Sequence, residues 1–392
     1  MEVTDVQYKE SEIGKIPLDW EVRRLSECCK KITDGTHDTP KPVYTGVPFL
    51  TAIHVKQNYI DYKNCYFLPK EVHEVIYKRC NPEYGDVLMV NIGAGVATTA
   101  LIDVDFEFSL KNVALLKPNR NIISGAYLHH YQSYVKQMIA DTITSGGAQP
   151  FLSLKQIGDL QIALPTKSEQ TAIATALSDT DALIENLEKL IAKKRNIKQG
   201  VMQELLTGRK RLAGFNGEWM KIKLGDICDI RKGQLITEKT AAGGEFPVIA
   251  GGINPSYFHN RPNRGKNTIT ISASGANAGY VSFHRNPIFA SDCSTIEEKG
   301  TFNIVYIFFL LQLFQKKIFK LQTGGAQPHV YPEHLKPLEL VFPQEVTEQD
   351  AIANILIDID EELSGLEKQM NKYQLIKQGM MQTLLTGKIR LV

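Results

Sequence analysis

An internal duplication constrains the fold of this chain more than any other feature of its sequence. The segment 197–212 reads IKQGVMQELLTGRKRL and the segment 376–391 reads IKQGMMQTLLTGKIRL, so twelve of sixteen positions are identical. The pentapeptide GGAQP also occurs twice, at 146–150 and at 324–328. A period of about 180 residues is far too long for a solenoid, whose repeats have roughly 20 to 50 residues. The chain is therefore built from two related halves.

Further landmarks give the order of segments within each half. The dipeptide EQ occurs at 169–170 and again at 348–349, and Trp20 at the front of the first half corresponds to Trp219 in the second. Between these landmarks the two halves show little similarity. Each half thus consists of a variable region followed by a shared segment. This order predicts a first globular domain, a central long helix, a second globular domain and a C-terminal long helix, at 1–165, 166–208, 209–343 and 344–392.

The shared segments have the period of an α-helix, because apolar side chains recur at alternating intervals of three and four residues. Each helix is predicted to have about 40 residues, a length of about 60 Å, and to end before Gly208 or Gly387. Helices this long do not bury an apolar face alone. We expect them to pair through Ile173, Leu177, Ile184, Leu187 and Ile191 of the first and Ile352, Leu356, Ile359, Leu363, Leu366 and Met370 of the second.

The direction of this pairing is topologically open, since a whole domain separates the two helices. The duplication favours an antiparallel pair with approximate twofold symmetry. The alternative is that each helix packs on its own domain. Gly200 and Gly379 interrupt the two helices at the same place, where glycine costs about 1 kcal/mol relative to alanine. Their recurrence indicates either the close approach of another chain or a bend.

The variable regions contain short apolar runs bounded by Gly, Asp and Pro, which predict strands. Each has a glycine-rich loop, NIGAG at 91–95 and SASGANAG at 272–279, and neither matches a phosphate-binding loop. Basic and polar residues cluster in loops, and such side chains hydrogen-bond base edges and phosphates, although any single one of them is more typical of a solvated loop. The candidates for DNA contact are Lys30, Lys31, Thr33, Gly35, Thr36, His37, Lys41, Asn91, Arg231, Lys232, Gln234, Arg261, Arg264, Lys266, Ser274 and Asn277.

Composition restricts the class of protein further. The net charge of only +2 argues against a protein that coats DNA without regard to sequence. The richest apolar run, 304–314, is too short to span a membrane, and the charged N-terminus is not a signal peptide, which favours the cytoplasm. The six cysteines form no C-x-x-C pair, so we predict free thiols and no metal site.

Enzyme signatures are missing from the sequence. The tetrapeptides NPEY at 81–84 and NPSY at 254–257 approach the N-P-P-Y signature of amino-methyltransferases, but each lacks the second proline and is interpreted as a turn. There is no Walker lysine, no H-E-x-x-H and no G-x-S-x-G. His129 and His130 are expected to be structural residues of a helix. No catalytic residue is predicted.

The repeated order of variable region, GGAQP, E-Q helix and closing K-Q-G-x-M-Q-x-L-L-T-G-x-x-R-L resembles the specificity subunits of type I restriction-modification enzymes over essentially the whole chain. ITDGTH at 32–37 also resembles a loop common in that family's recognition domains, whereas the second half has IRKGQ at 230–234. The resemblance implies an α+β fold with pseudo-twofold symmetry. Two globular α/β target-recognition domains would be separated by two long helices that form an antiparallel coiled coil.

The resemblance also implies a function. Each domain would read one half of a bipartite site in double-stranded DNA, and the helices would set the spacer and bind two methyltransferase subunits. Those subunits would use S-adenosylmethionine, whereas this chain would hold no cofactor and catalyse nothing. Motor-nuclease subunits would join in the restriction complex. A coiled-coil scaffold that ignores DNA, and a stand-alone nuclease or methyltransferase, are the alternatives; DNA binding and activity of the isolated chain distinguish them.

Overall fold

The computed structural model describes residues 7–143, 150–300 and 302–391. The chain forms two compact units, each of which contains helices and β-sheets. Unit 1 comprises Met1–Glu188 together with Gln369–Val392, and unit 2 comprises Lys189–Lys368. The boundaries of these units fall within both long helices, whereas the sequence-based segments 166–208 and 344–392 keep each helix whole. The predicted α+β class with two mixed globular regions is confirmed.

Unit 1 is organised around a four-stranded antiparallel sheet with the strand order β4-β10-β7-β8. Smaller sheets have the orders β6-β5-β9, β11-β3 and β1-β2. The strands are β1 (Tyr8–Lys9), β2 (Ile16–Pro17), β3 (Glu21–Arg24), β4 (Cys29–Asp34), β5 (Val47–Leu50), β6 (Tyr66–Leu68), β7 (Val87–Met89), β8 (Thr99–Leu101), β9 (Ser109–Leu110), β10 (Ala114–Pro118) and β11 (Gln161–Leu164). The helices are α1 (Leu25–Cys28), α2 (Lys70–Cys80), α3 (Gly125–Ile143), α4 (Leu154–Asp159) and the first part of α5 (Lys167–Leu205), with a 3-10 turn at Ala52–His54.

Unit 2 is organised around a second four-stranded sheet, with the strand order β13-β19-β16-β17. Its smaller sheets have the orders β15-β14-β18 and β12-β20. The strands are β12 (Trp219–Lys223), β13 (Cys228–Lys232), β14 (Phe246–Ile249), β15 (Tyr257–His259), β16 (Thr268–Ser272), β17 (Val281–His284), β18 (Phe289–Ala290), β19 (Cys293–Glu298) and β20 (Glu339–Pro343). The helices are α6 (Leu224–Ile227), α7 (Ile304–Leu313), α8 (Gln315–Phe319), α9 (Pro332–Leu335) and the first part of α10 (Val346–Leu384), with a 3-10 turn at Glu238–Thr240.

The two variable regions have the same topology, although their sequences show little similarity. Apart from the β1-β2 sheet, which only unit 1 has among the described residues, the sheets of unit 2 repeat those of unit 1 strand by strand, including the parallel pairing of β14 with β18 and of β5 with β9. The main difference is α2, because the connection 260–267 between β15 and β16 contains no helix. The duplication therefore extends through the whole of each half, and only the fold preserves it in the variable regions.

The long helices have 39 residues each, which confirms the predicted length. Gly208 and Gly387, which follow them, adopt positive φ angles of 70° and 68°, as predicted for residues that end a helix. The first turns of α5 are part of the core of unit 1, where Ile173 and Leu177 are fully buried together with Trp20 and Tyr127. Each long helix is thus anchored in a globular core at its start.

The end of each long helix is anchored in a core as well. Leu384 of α10 and Leu385, which follows the helix, belong to the same core of unit 1 as the start of α5. In unit 2, Leu205 of α5 is buried in one core with Ile352 and Leu356 of α10. The eleven apolar residues predicted to pair the helices are all buried or half-buried, and four of them also complete these globular cores. Their pairing along the full length of the helices stays a prediction.

Within each unit the segments of α5 and α10 run antiparallel. In unit 1, the ammonium of Lys377 lies 2.5 Å from the carboxylate of Asp181. In unit 2, Lys198 lies 2.7 Å from Asp360. These two ion pairs are equivalent, because Asp360 follows Asp181 by the same 179 positions that separate Lys377 from Lys198. Each copy of the repeat therefore contributes its aspartate to the lysine of the other copy.

A second equivalent pair joins the helix starts to the segments that follow the helix ends. In unit 1, the guanidinium of Arg390 donates to both carboxylate oxygens of the fully buried Glu169, at 2.6 and 2.8 Å. In unit 2, Arg211 forms the same two hydrogen bonds to Glu348, at 2.6 and 2.7 Å. The indole of Trp20 donates to Glu169 at 3.1 Å. The shared E-Q and R-L motifs of the sequence thus meet at one buried ion pair in each unit.

Candidate DNA-binding interface

Three chain segments leave the main sheet of unit 1 at the same end. Asp34, at the end of β4, and Met89, at the end of β7, both pair with Ala114, at the start of β10. The segments that follow β4 and β7 and the segment that precedes β10 therefore lie side by side. We call them the polar end of unit 1, which consists of residues 34–37, 91–95 and 111–112.

The first segment of this end requires glycine at its turn. The backbone amide of Gly35 donates to Val113 at 3.2 Å, and a Cβ atom at Gly35 would collide with the carbonyl oxygen of Leu110. This close approach brings the next residues across the strand ends, where Thr36 donates to Leu110 at 2.8 Å. Gly35 and the buried Thr36 thus shape the loop rather than offer a side chain to a ligand.

His37 is the exposed residue of the same loop, and its ring is held at both nitrogens. Nε2 lies 3.0 Å from the carboxylate of Asp34, and Nδ1 lies 2.8 Å from the amide oxygen of Asn112. Asp34 is buried and is also paired with Arg79 at 2.8 Å. The imidazole, 63% of whose side chain is exposed, is therefore presented to solvent in a fixed orientation.

The glycine-rich loop 91–95 lies beside it and is joined to the GGAQP segment. The amide of Gly93 donates to the carbonyl of Pro150 at 2.8 Å, and Leu152 donates to the carbonyl of Asn91 at 2.8 Å. Residues 146–149 of the first GGAQP copy lie outside the described residues. The side chain of Asn91 is buried, and its amide oxygen has no hydrogen-bond partner among the residues that the structure describes.

A hollow of about 650 Å³ opens next to these loops. Its apolar lining includes Pro40, Phe49 and Ile92, and the polar residues that line it include Asn112. Lys41, whose side chain is exposed, belongs to the loop that forms one side of the hollow. A depression with an apolar wall and polar groups at its edge is suited to hold part of a ligand.

Not every predicted residue of unit 1 lies at this end. Lys30 and Lys31 are near the start of β4, and the ammonium of Lys31 donates to the carbonyl of Arg79 at 2.7 Å. Thr33 is half-buried within the same strand. The structure therefore brings together Gly35, Thr36, His37, Lys41 and Asn91, whereas the two lysines point out from the strand farther from the loops.

Unit 2 has the same arrangement. Gly233 donates to Cys293 at 2.8 Å, and Gln234 donates to Ala290 at 2.9 Å. In unit 1, Gly35 and Thr36 donate in the same way to Val113 and Leu110. A Cβ atom at Gly233 would collide with the carbonyl of Ser291. IRKGQ is thus the structural counterpart of ITDGTH. The polar end of unit 2 consists of residues 232–234, 273–277 and 291–292.

The glycine-rich loop of unit 2 is also joined to its GGAQP segment. Gly275 donates to Pro328 at 3.1 Å, and Val330 donates to Ala273 at 3.0 Å, so that both hydrogen bonds repeat those of unit 1. Ser274 donates to the carboxylate of Asp292. The equivalence of the two loops follows from this hydrogen-bond pattern, since their sequences do not align.

Aromatic side chains lie beside this loop. The rings of His329 and Tyr331 are nearly parallel, at 5° with centroids 5.5 Å apart. The ammonium of Lys232 lies 5.7 Å from the centroid of Tyr331, a distance at which a cation interacts with a ring. Gln234 is exposed and Asn277 half-buried at the same end. Stacked rings next to a cation and amides form a surface suited to nucleic acid.

The remaining predicted residues of unit 2 lie elsewhere. Arg231 is paired with Asp229 and lies 3.8 Å from Glu297. The guanidinium of Arg264 is mostly buried and donates to Thr295 at 2.8 Å. These two arginines are thus engaged within the unit. Arg261 and Lys266 are exposed on the connection between β15 and β16. Lys266 lies before the first residue of β16, whereas Ser274 follows the last residue of that strand.

Sequence reasoning missed several residues at the two polar ends. They share a position next to a short strand or after the GGAQP motif, and they are Lys111, Asn112, Asp292, His329 and Tyr331. The repeated GGAQP motif could have pointed to His329 and Tyr331, which follow its second copy. No local signal marks Asn112 or Asp292, because their position depends on strand register.

The described part of the chain contains free thiols but no cluster of metal-binding side chains. No group of three or more His, Cys, Asp or Glu residues there could hold a metal ion. All six cysteines are buried and unpaired, which confirms the prediction of free thiols. None of the described helices is long and apolar enough to cross a membrane.

The sequence matches the family model described as "Type I restriction modification DNA specificity domain" at residues 17–194 and 216–377. The chain belongs to this family. One match falls on each half of the duplication and covers its variable region and most of the long helix that follows. Each match to the family model therefore corresponds to one globular region together with most of the long helix that follows it.

Curated relatives of this family match most or nearly all of the chain. A putative type I restriction enzyme MjaX specificity subunit of Methanocaldococcus jannaschii is 27% identical, over 98% of this chain and 96% of its own length. A putative type I specificity subunit, S.MgeORF438P of Mycoplasma genitalium, is 23% identical over 77% of this chain and 81% of its own length.

Solved structures show the same fold. The S subunit of a type I restriction-modification system from M. genitalium has a TM-score of 0.70 at 18% identity, with 93% of this chain and 96% of that chain covered. A chain from a study of complex assembly and conformational transition of the type I system has a TM-score of 0.52 at 14% identity, with 95% and 99% covered. At these identities the likeness is one of fold.

Proposed function

We propose that this chain is the DNA sequence-specificity subunit of a type I restriction-modification system and that each unit reads one half of a bipartite DNA site. The observation that carries the proposal is that one fold presents two polar ends with the same backbone and different side chains. His37 and Asn112 occupy in unit 1 the places that Leu235 and Asp292 occupy in unit 2. Two recognition units that share one fold but carry different side chains at their polar ends would recognise two different short DNA sequences.

The chemistry would be performed by partner subunits. Methyltransferase subunits that bind S-adenosylmethionine would modify adenine, and motor-nuclease subunits would join them for restriction. This chain would supply no catalytic residue and no cofactor. The relatives support this division of labour because they are named specificity subunits. Because its substrate would be the DNA of the cell, we also propose that it acts in the cytoplasm.

The long helices would hold the two readers apart and bind two methyltransferase subunits. The antiparallel ion pairs in each unit support a coiled coil of α5 and α10. Gly200 and Gly379 support the docking role, because a Cβ atom at either would meet no other described residue within 4 Å. No contact in the described residues therefore requires these two glycines, and a partner that packs closely on the helices would.

Methylation mapping tests the proposed function. The chain and its methyltransferase subunit are expressed together in a host without adenine methylation, and the modified sites are sequenced. We expect one interrupted site with two different half-sequences. Replacing residues 12–145 with the counterpart from another specificity subunit should change one half-sequence only, since each unit has a hydrophobic core of its own.

The outcomes separate this proposal from its alternatives. A change in both half-sequences would contradict independent readers. Methylation or cleavage by the isolated chain would indicate a stand-alone enzyme, and a purified chain that binds no DNA with or without its methyltransferase subunit would indicate a scaffold. A host that expresses the methyltransferase subunit alone provides the background.

A further inference from the structure

Asn112 and Asp292 occupy the same position in the two units. Each is the residue between two backbone hydrogen bonds that are conserved in the fold. The residue before it donates to the adjacent β5 or β14, from Lys111 to Leu50 at 2.9 Å and from Ser291 to Ile249 at 2.7 Å. The residue after it, Val113 or Cys293, accepts from the glycine of the preceding loop. The two side chains therefore start from one backbone site.

The two side chains differ in hydrogen-bonding capacity. Asn112 holds the ring of His37 through its amide oxygen, at 2.8 Å. Asp292 accepts a hydrogen bond from the hydroxyl of Ser274 at one carboxylate oxygen, Oδ2. Among the described residues nothing donates to its other oxygen, Oδ1. Half-buried at the polar end, Asp292 thus offers an acceptor that has no partner in the protein.

A carboxylate is an unusual group for a surface that meets phosphates, because like charges repel. At a base edge it is selective, since it only accepts hydrogen bonds. In the major groove the amino groups N4 of cytosine and N6 of adenine are donors, whereas O6 of guanine and O4 of thymine are acceptors. A carboxylate would favour the first two bases and repel the others, which is how unfavourable contacts produce specificity.

We propose that Asp292 is a specificity-determining residue of unit 2 that accepts a hydrogen bond from the exocyclic amino group of a cytosine or an adenine in the second half-site. Asn112 is the corresponding residue of unit 1, with an amide in place of the carboxylate. The proposal rests on the proposed function, because it requires that the polar ends face base edges. Ser274 orients Asp292 through the hydrogen bond that its hydroxyl donates to Oδ2.

Isosteric substitutions at the two sites provide the test. Asp292→Asn keeps the shape of the side chain but can donate as well as accept, so it should reduce discrimination at one position of the second half-site about tenfold, the scale of a single base contact. Guanine or thymine should then be tolerated there. Asn112→Asp should act on the other half-site and create a preference for cytosine or adenine. Methylation maps of the complete complex give both results.

Asp226→Asn serves as the matched control, because Asp226 is exposed on α6, at the start of β13 and away from the polar end. It should leave the map unchanged. A wild-type map with a bipartite site and an unchanged map for both Asp292→Asn and Ser274→Ala would overturn the inference and leave the proposed function intact. A wild-type map without a two-part site would overturn both. Thermal melting of each variant establishes that it is folded.

Discussion

At the residue scale, the clearest difference between the two units is a pair of buried histidines. His129 and His130 of α3 lie where unit 2 has Phe308 and Phe309, since Ser124 and Asn303 make the same hydrogen bond to Gln170 and Gln349, at 3.0 and 2.9 Å. The prediction that the histidines are structural residues of a helix agrees with their burial. Burial lowers the pKa of His129 to about 4 and that of His130 to about 2, and the nearby Lys377 acts in the same direction. Nε2 of His130 forms a hydrogen bond with the hydroxyl of Ser178 at 2.9 Å, and Nδ1 lies 4.0 Å from the carboxylate of Asp181.

The consequence is a loss of stability in acid. Histidines of the unfolded chain take up protons near pH 6.5, whereas the folded chain keeps these two neutral down to about pH 4. The free energy of unfolding should therefore have its highest contribution from these histidines above pH 6.5. It should decrease as the pH is lowered from 6.5 to 4, by up to about 1.4 kcal/mol per pH unit for each histidine. Urea unfolding of wild type and of His129→Phe/His130→Phe measures this. The double variant should have a shallower slope, with a remainder from His54 and His284, whose pKa values burial also lowers. An equal slope in both proteins would show that His129 and His130 are not responsible.

At the element scale, each long helix is packed into a globular core at both ends. In unit 1, the ion pair of Glu169 with Arg390 joins the start of α5 to the segment that follows α10. Arg390→Met would leave the fully buried Glu169 without its cation, so we expect a loss of about 3–5 kcal/mol in the free energy of unfolding. Arg390→Met combined with Glu169→Gln removes the uncompensated charge and should recover part of this loss. Lys15→Met breaks the exposed pair with Glu10 at 3.5 Å and should cost less than about 0.5 kcal/mol. Equal losses for Arg390→Met and Lys15→Met in urea unfolding would contradict a special role for the buried pair.

At the scale of the whole molecule, the duplication predicts that one half can substitute for the other. Residues 1–212 lack the segment of α10 and the Arg390 that complete unit 1. The repeat supplies equivalents, because Leu205, Leu206 and Arg211 correspond to Leu384, Leu385 and Arg390. Two copies of the fragment should therefore form a closed dimer, each completing the core of the other, and direct methylation to an interrupted palindrome of the first half-site. Sedimentation and methylation mapping measure these properties. Arg211→Met in the fragment should weaken the dimer, and a folded monomer or an asymmetric site would contradict the exchange.

The sequence by itself determined the features that depend on local pattern and on identity between the halves. Helical periodicity was enough to predict two helices of about 40 residues, and the repeated motifs were enough to indicate the family and the two-domain plan. Only the tertiary structure decided which side chains meet. The equivalence of IRKGQ with ITDGTH and the shared position of Asn112 and Asp292 depend on strand register and on hydrogen bonds between distant segments. No local pattern in the sequence reveals either of these. Likewise, Ile173 and Leu177 belong to the apolar stripe of a helix in the sequence, but the fold also places them in a globular core, because the end of the other helix packs there.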